Sequence, residues 1–542
     1  MKKLPLGIQN FNEMITGDYV YVDKTRDIYN LIRGAKYYFL SRPRRFGKSL
    51  LLDTIGEVFQ GNRELFKGLW IDDSDYDFAK HPVIRLDMSN IPNKTPDILE
   101  RSLFEELNAC IQREKMNVSG TESAVLFKRL IENLREKYNQ RVVVLIDEYD
   151  KPILDHIDDR ETAEANKKVI REFYGILKSM DPYLRFSFFT GVSKFTKTSL
   201  FSELNNLKDI TLDEDYTNIC GIPINSLDYY FGEHIKNLEK HKRFKDIHNI
   251  RERILAWYDG YSWDGETKLL NPFSLLSFLD QKKFSAFWYA SGTPRFLLDY
   301  IKKQPESFSG LKNAEITENM LDAVNLDNIM VSSMLFQTGY LTVKEIPTTQ
   351  HTPVYLVDIP NFEVRDAFNH HVLSSLIERD DEYTGRAKLA IDRALRTSDL
   401  QQMLTILRGL FASIPYELHV DAEAYYHSIF YAVMTVLGFD IDAEVSVSTG
   451  RVDAVLDLDD KVYIIEFKFE RCPANASEED RQKHFDQALS KAMDQIKDRG
   501  YHKKYAGTGK TVYLAAFAFL GRDDIEMRCE QDVAKHLDRG SI

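Results

Sequence analysis

Residues 36–61 run as a strand-like stretch (KYYFLS, 36–41), a basic loop (Arg42-Pro43-Arg44-Arg45-Phe46-Gly47) and a helical run that opens at Lys48-Ser49 and continues LLLDTIGEVFQG. No other feature narrows the fold as much. A loop set between a strand end and a helix start aims its backbone N–H groups and the positive helix end at an anion. In such a loop Lys48 reaches the β- and γ-phosphates of a nucleotide and Ser49 holds Mg²⁺ through its hydroxyl. Gly47 allows close approach of the phosphate, and Arg45 belongs to the same binding loop. The pattern GxxxxGK[ST] asks for glycine at position 42, where the chain has Arg42. The plainer alternative is a basic loop before an ordinary helix.

A second acidic signature favours the nucleotide. The apolar run 142–146 ends in Asp147-Glu148, which places Asp147 to coordinate Mg²⁺ through water and Glu148 to polarise the attacking water. Thr190 and Ser193 close the next strand, 184–192, where a γ-phosphate sensor would sit; a polar turn explains them equally well. Arg185 and Arg295 are candidate cationic fingers, but an isolated arginine is more often an ion-pair partner. Strands at 36–41, 82–88, 141–147 and 184–192 alternate with helices such as 96–115, so the sheet should be mostly parallel. Residues 19–33 read as a short strand entering a helix capped by Asp23 or Thr25.

With 542 residues the chain is long enough for two to four domains. Its net charge of -13 means that any nucleic-acid contact must use a local basic patch or metal ions. Four scattered cysteines (Cys110, Cys220, Cys472, Cys529) form no zinc pattern and suit a reduced, cytoplasmic setting. No signal peptide or membrane-spanning run is read, so no membrane partner is expected. The divisions expected are 1–225 for the phosphate-loop domain, 226–310 for a helical lid, 311–410 for a helical linker and 411–542 for a further domain. The His370-His371 pair reads as a helix-surface feature rather than a metal site.

The last of these divisions follows the order αβββαβ: helix 421–437, strands 441–447, 451–457 and 461–469, helix 478–498 and strand 511–520. Asp453 lies on the second strand, Glu466 and Lys468 on the third. Residues 466 and 468 share a parity, so both project from one face of an apolar strand, where an uncompensated charge is costly. A metal site accounts for this. Asp453 and Glu466 can ligate Mg²⁺, with Mn²⁺ as an alternative, and the Phe467 carbonyl can add a ligand. Lys468 would orient or deprotonate the attacking water. Glu423 on the preceding helix would complete the acidic cluster, and Gln495 lies on the helix that follows. A cross-strand ion pair is the structural alternative.

Taken together, YVDKT (21–25), RPRRFGKSLLL (42–52), VVLIDEYDKP (143–152) and FTGVSKFTKTSLFSELNNLKDIT (189–211) resemble the bacterial AAA-ATPase-like family. WYDGYSW (257–263), NPFS (271–274) and YASGTP (289–294) resemble it as well. Its members carry a C-terminal PD-(D/E)xK nuclease-superfamily domain, which GRVDAVLD, YIIEFKF and DQIKDRGY resemble. The resemblance implies an AAA-type α/β domain with a parallel sheet, a helical or winged-helix-like middle region and a restriction-endonuclease-like core. It gives Lys48, Ser49, Asp147 and Glu148 the nucleotide roles, and Asp453, Glu466, Lys468 and Glu423 the nuclease roles. The leading expectation is an ATP-binding and ATP-hydrolysing protein whose nucleotide state gates a metal-dependent nuclease. Its substrate would be nucleic acid, DNA rather than RNA, in defence or mobile-element biology. The alternative is a nucleotide-dependent switch with a catalytically silent nuclease fold, and a homo-oligomer is left open.

Overall fold

The computed structural model describes residues 1–194, 200–201, 204, 206–245, 247–288, 314–318, 324–325, 328–329, 331–347, 353–368, 381–412, 430, 434, 441–447, 450–458, 460–473, 476–505, 509–520 and 524–532. At 324–325, 328–329, 381, 384, 441–447 and 450–452 only the backbone is described. The chain divides into two compact units, one built from Met1–Gly292 and Lys312–Val364, the other from the remainder.

The first unit centres on five parallel strands: β1 (Tyr37–Ser41), β2 (Val83–Asp87), β3 (Val142–Asp147), β4 (Leu184–Gly191) and β5 (Lys208–Asp209). Their order is β2-β3-β4-β1-β5. The four longer strands lie within a residue, at each end, of the stretches read from the sequence. Every residue of β3 is buried because helices cover both faces of the sheet. Val142, Val144 and Ile146 pack with helices at Pro96–Arg113 (α4), Ser123–Tyr138 (α5) and Arg160–Ser179 (α7). The alternate residue Leu145 meets Gly56 on the helix Lys48–Phe59 (α3), 3.5 Å from where a Cβ would stand. α4 begins where Thr95 Oγ1 accepts from Ile98 N and Pro96 fills the first turn, and it buries Leu99, Leu103, Leu107 and Ile111 along one stripe. Truncating one of these leucines to alanine costs about 2–5 kcal/mol.

The expected strand before residue 25 is reduced to a single bridge, Lys3 to Tyr19. Two short helices precede β1, α1 (Phe11–Thr16) and α2 (Thr25–Arg33), and Asp23 Oδ1 accepts from the backbone N and hydroxyl of Thr25. A single turn, α6 (Lys151–Leu154), follows β3. Beyond β5, helices α8 (Leu227–Glu239), α9 (Ile250–Tyr258) and α10 (Pro272–Gln281) enclose a second core. The two-residue strands β6 (Ile222–Pro223) and β7 (Leu269–Leu270) pair antiparallel beside them. The stretch 311–410, read as helical, is helical from residue 381 onward but departs from that reading before it. It contains an antiparallel sheet of β8 (Ala314–Thr317), β11 (Thr342–Glu345) and β12 (Val354–Asp358), besides the ladder β9 (Val324–Asn325) with β10 (Asn328–Ile329) and the helix α11 (Val331–Thr338). Strands of two to five residues show too few alternations to register as a period.

The second unit contains helices α12 (Asp381–Thr397), α13 (Leu400–Phe411) and α14 (Glu478–Asp498), with strands β13 (Ile441–Val447), β14 (Gly450–Asp457), β15 (Lys461–Glu470), β16 (Thr511–Leu520) and β17 (Asp524–Gln531). The sheet is mixed, in sequence order, and only β15–β16 is parallel, joined by the α14 crossover. α14 starts at Ser477, whose side chain accepts from Asp480 N. It packs Phe485, Leu489, Met493 and Ile496 on Val462, Ile464, Leu514 and Ala516. Strand β17 went unread because its segment DIEMRCEQ mixes charge into the alternation, as edge strands do. Of the helix expected at 421–437, only Phe430 and Met434 are among the described residues, so Glu423 lies outside them. Among the described residues no helix is long and apolar enough to cross a membrane.

Candidate nucleotide-binding and metal sites

The loop Arg42–Gly47 leaves the end of β1, and Asp147 ends β3. β4 lies between these two strands and brings Thr190 to the same sheet edge. Ligands of open α/β sheets bind at this edge, outside the strand C-termini. Gly47 has φ +96° with open space where a Cβ would stand, and it precedes the first turn of α3. Arg45, also at positive φ (64°), is exposed and sets its guanidinium 5.2 Å from the Phe273 ring. Lys48 is 5% exposed and its Nζ donates to the carbonyls of Arg42 and Pro43, both at 3.0 Å. Burial lowers its pKa, opposed by attraction to Asp147, Glu148 and Asp150.

Half-buried Ser49 joins Gly47, Lys48 and Glu148 in the lining of a cleft of about 420 Å³. The cleft also takes in Ile8, Val22, Ile219, Phe231 and Leu276, an apolar wall beside a cationic floor. Asp147 accepts from the Thr190 hydroxyl. Glu148, at φ 51°, is pushed up from the usual carboxylate range by burial. Asp150, not singled out from the sequence, is 1% exposed and accepts from Val192 N, Ser193 N and Ser193 Oγ, the last two at 2.7 Å. It welds the turn after β3 to the end of β4. Its signal was present as the last acid of DEYD. The hydroxyls of Thr190 and Ser193 are thus both committed to carboxylates. Arg185 sits at the opposite end of β4 and donates to Ile32 O at 3.1 Å, so it is no finger for this edge. Arg295 lies outside the described residues.

In the second unit the parity of β15 governs the site. Glu466 falls in line with Val462 and Ile464, on the face covered by α14, and is fully buried. Asp453, on the neighbouring β14, accepts from Phe467 N at 2.8 Å. Lys468 Nζ lies 3.5 Å from Glu466 Oε1 and donates to the Phe467 carbonyl at 2.9 Å. Gln495 Nε2 donates to the same Oε1 from α14, while Glu466 Oε2 has no hydrogen-bond partner. Burial, then the charge of Asp453, pushes the Glu466 carboxyl up to about 7, against the pull of Lys468. Arg499, missed in the sequence, is close enough to be influenced by Glu466 and Asp453, and its Nη1 donates to Tyr501 OH at 3.0 Å. Among the described residues no three His, Cys, Asp or Glu side chains stand ready around one ion, and Glu423 is not among those residues. Even so, a buried carboxylate oxygen without a partner, facing a second carboxylate, is a donor set suited to a hard cation.

Residues 5–201 match a family model described as "Predicted AAA-ATPase", and residues 421–528 match one described as "PD-(D/E)XK nuclease superfamily". A protein of Azotobacter chroococcum mcd 1, named "Uncharacterized protein in vnfD 5'region", is 35% identical over 526 residues, spanning 96% of each chain. Among solved structures, the ORC2 protein of Aeropyrum pernix (ADPNP–ADP complexes) aligns over 61% of this chain and 87% of its own at 13% identity. Its TM-score is 0.25, too low to carry an argument. With a relative at that identity along almost its whole length and both models matched, the chain belongs to the predicted AAA-ATPase family whose members end in a PD-(D/E)XK nuclease-superfamily domain.

Proposed function

We propose that this protein binds and hydrolyses ATP in its first unit and that nucleotide state gates a metal-dependent nuclease in its second. The observation that carries the nuclease half is Glu466, a fully buried carboxylate with one unpartnered oxygen beside Asp453 and Lys468. Keeping such a group in a core is expensive unless a cation takes up its charge. Asp453 and Glu466 would hold Mg²⁺, or Mn²⁺, which when bound supplies a polarised water for attack on a phosphodiester. Lys468 would orient that water and offset phosphate charge, and Gln495 fixes the Glu466 carboxylate. Glu423 is assigned as the third acid on sequence grounds.

In the first unit, the apolar wall of the cleft would take the base and ribose, and Lys48 with the amides of Arg45 and Gly47 the phosphates. Ser49 and Asp147 would hold the nucleotide's Mg²⁺, and Glu148 would accept the proton of the attacking water. Burial raises its pKa and so makes it a stronger base than an exposed glutamate. We assign nucleic acid as substrate, DNA ahead of RNA, with cleavage serving defence or mobile-element maintenance in the cytoplasm. The test is incubation of the full chain with labelled single- and double-stranded DNA and RNA over a Mg²⁺ and Mn²⁺ series. Cleavage that disappears in Glu466→Ala and Lys468→Ala is expected. Divalent-dependent cleavage that survives both substitutions would overturn the assignment.

A further inference from the structure

Each residue of the loop from Arg42 to Phe46 is gripped from outside by the segments 261–288 or 339. Arg42 is 1% exposed, and its Nη1 donates to the carbonyls of Ser41 and Thr211. Its Nε and Nη2 have no hydrogen-bond partner, and the guanidinium lies 4.0 Å from the Trp263 ring centroid. That is a desolvated cation–π contact. Pro43 is approached by Gly339 (φ +94°) so closely that a Cβ there would stand 2.7 Å from the proline ring. The Arg44 carbonyl accepts from Trp288 Nε1 at 3.0 Å. Arg45 faces Phe273, and Phe46 stacks edge-on to Tyr261 and Trp263 at 5.1 and 5.2 Å. Trp288 is held in turn: its backbone N donates to buried Glu363 at 2.7 Å, and its ring meets Tyr340.

This grip accounts for the missing glycine. A phosphate-binding loop with glycine at its first position finds its shape from backbone freedom. Here a buried arginine stands in that place, and the shape is imposed by aromatic side chains. Lys48 also links the grip to phosphate, since its Nζ donates to the carbonyls of Arg42 and Pro43, just before the Arg44 carbonyl held by Trp288. A phosphate is the stronger acceptor for an ammonium than two neutral carbonyls, so its arrival frees both.

We propose that Trp263 and Trp288 are positioning residues of the nucleotide site, holding the loop Arg42–Phe46 in its phosphate-receiving shape, and that Trp288 registers when phosphate enters. The proposal rests on the nucleotide-binding reading of the first unit. The experiment titrates the full chain with MgATP, reading affinity by calorimetry and occupancy by tryptophan emission. Trp288→Phe, which removes the indole N–H, should bind about three- to tenfold more weakly, the worth of one hydrogen bond. It should also lose the nucleotide-induced emission change. The double variant Trp70→Phe/Trp257→Phe keeps only the two clamp tryptophans and should retain that change in full, a result that does not depend on Trp288→Phe folding. Loss of the response in the double variant, or unaltered affinity and response in Trp288→Phe, overturns the proposal. Lys48→Ala separates the two readings. Binding lost there but untouched in Trp288→Phe overturns only the clamp, whereas binding untouched in Lys48→Ala overturns the nucleotide site as well.

Discussion

Replacing Glu466 with glutamine should make the metal-free protein more stable at alkaline pH while removing its response to Mg²⁺. In the folded chain the carboxyl titrates at about 7, against 4.5 for an exposed glutamate. Below pH 4.5 folded and unfolded chains both carry it protonated, and it costs nothing. Between pH 4.5 and 7 the unfolded chain ionises first, so the folded state loses ground, and above pH 7 the loss is complete. A displacement of about 2.5 pH units at about 1.36 kcal/mol each comes to about 3 kcal/mol. Glutamine keeps an acceptor for Gln495 and carries no charge, so this pH-dependent loss is absent from the variant. Urea unfolding of both proteins in EDTA should therefore show the stability difference, variant minus wild type, rising by about 3 kcal/mol from pH 4.5 to pH 8. With saturating Mg²⁺ at pH 8 the wild type should regain stability through binding, and the variant should not. A difference that stays flat with pH, or equal stabilisation of both proteins by Mg²⁺, would refute the reasoning.

Glu148→Gln should still bind ATP but hydrolyse it at least about a hundredfold more slowly, measured as phosphate release, because a general base contributes on that scale. Asp150→Ala leaves three buried donors at Val192 and Ser193 unmatched and should destabilise the first unit by about 2–3 kcal/mol in thermal unfolding. Gly47→Ala must hold φ near +96°, so it should weaken nucleotide binding with a stability cost of about 1–2 kcal/mol, read by calorimetry and thermal melts. Arg185→Ala, at the far end of β4, should leave the ATPase rate unchanged within error.

Much of this arrangement was legible because the chemistry sits where periodicity is strongest. VVVLID and YIIEFKF are continuous apolar runs, and the charged residues that interrupt or end them, Asp147, Glu466 and Lys468, stand out against that background. Parity alone put Glu466 and Lys468 on one face of β15. The elements that escaped are of two kinds. β17 and the strands of residues 314–358 are short or carry charge, so their pattern does not separate from that of loops. Arg42 with Trp263, and Arg44 with Trp288, are long-range partners brought together by tertiary packing that no local window contains. The departure from glycine at position 42 was visible in the sequence, but its compensation lies up to 246 residues away in Trp288.

Coupling of the two sites is tested most directly by the cleavage rate of labelled DNA in Mg²⁺ with ATP, with a non-hydrolysable ATP analogue and with neither. The rate is measured on the wild type, Lys48→Ala and Glu466→Ala. Gating predicts that the wild-type rate changes with nucleotide, that Lys48→Ala cleaves at one rate whatever nucleotide is present, and that Glu466→Ala does not cleave at all. A wild-type rate that is the same with and without ATP, in a protein that demonstrably binds it, would contradict the coupling.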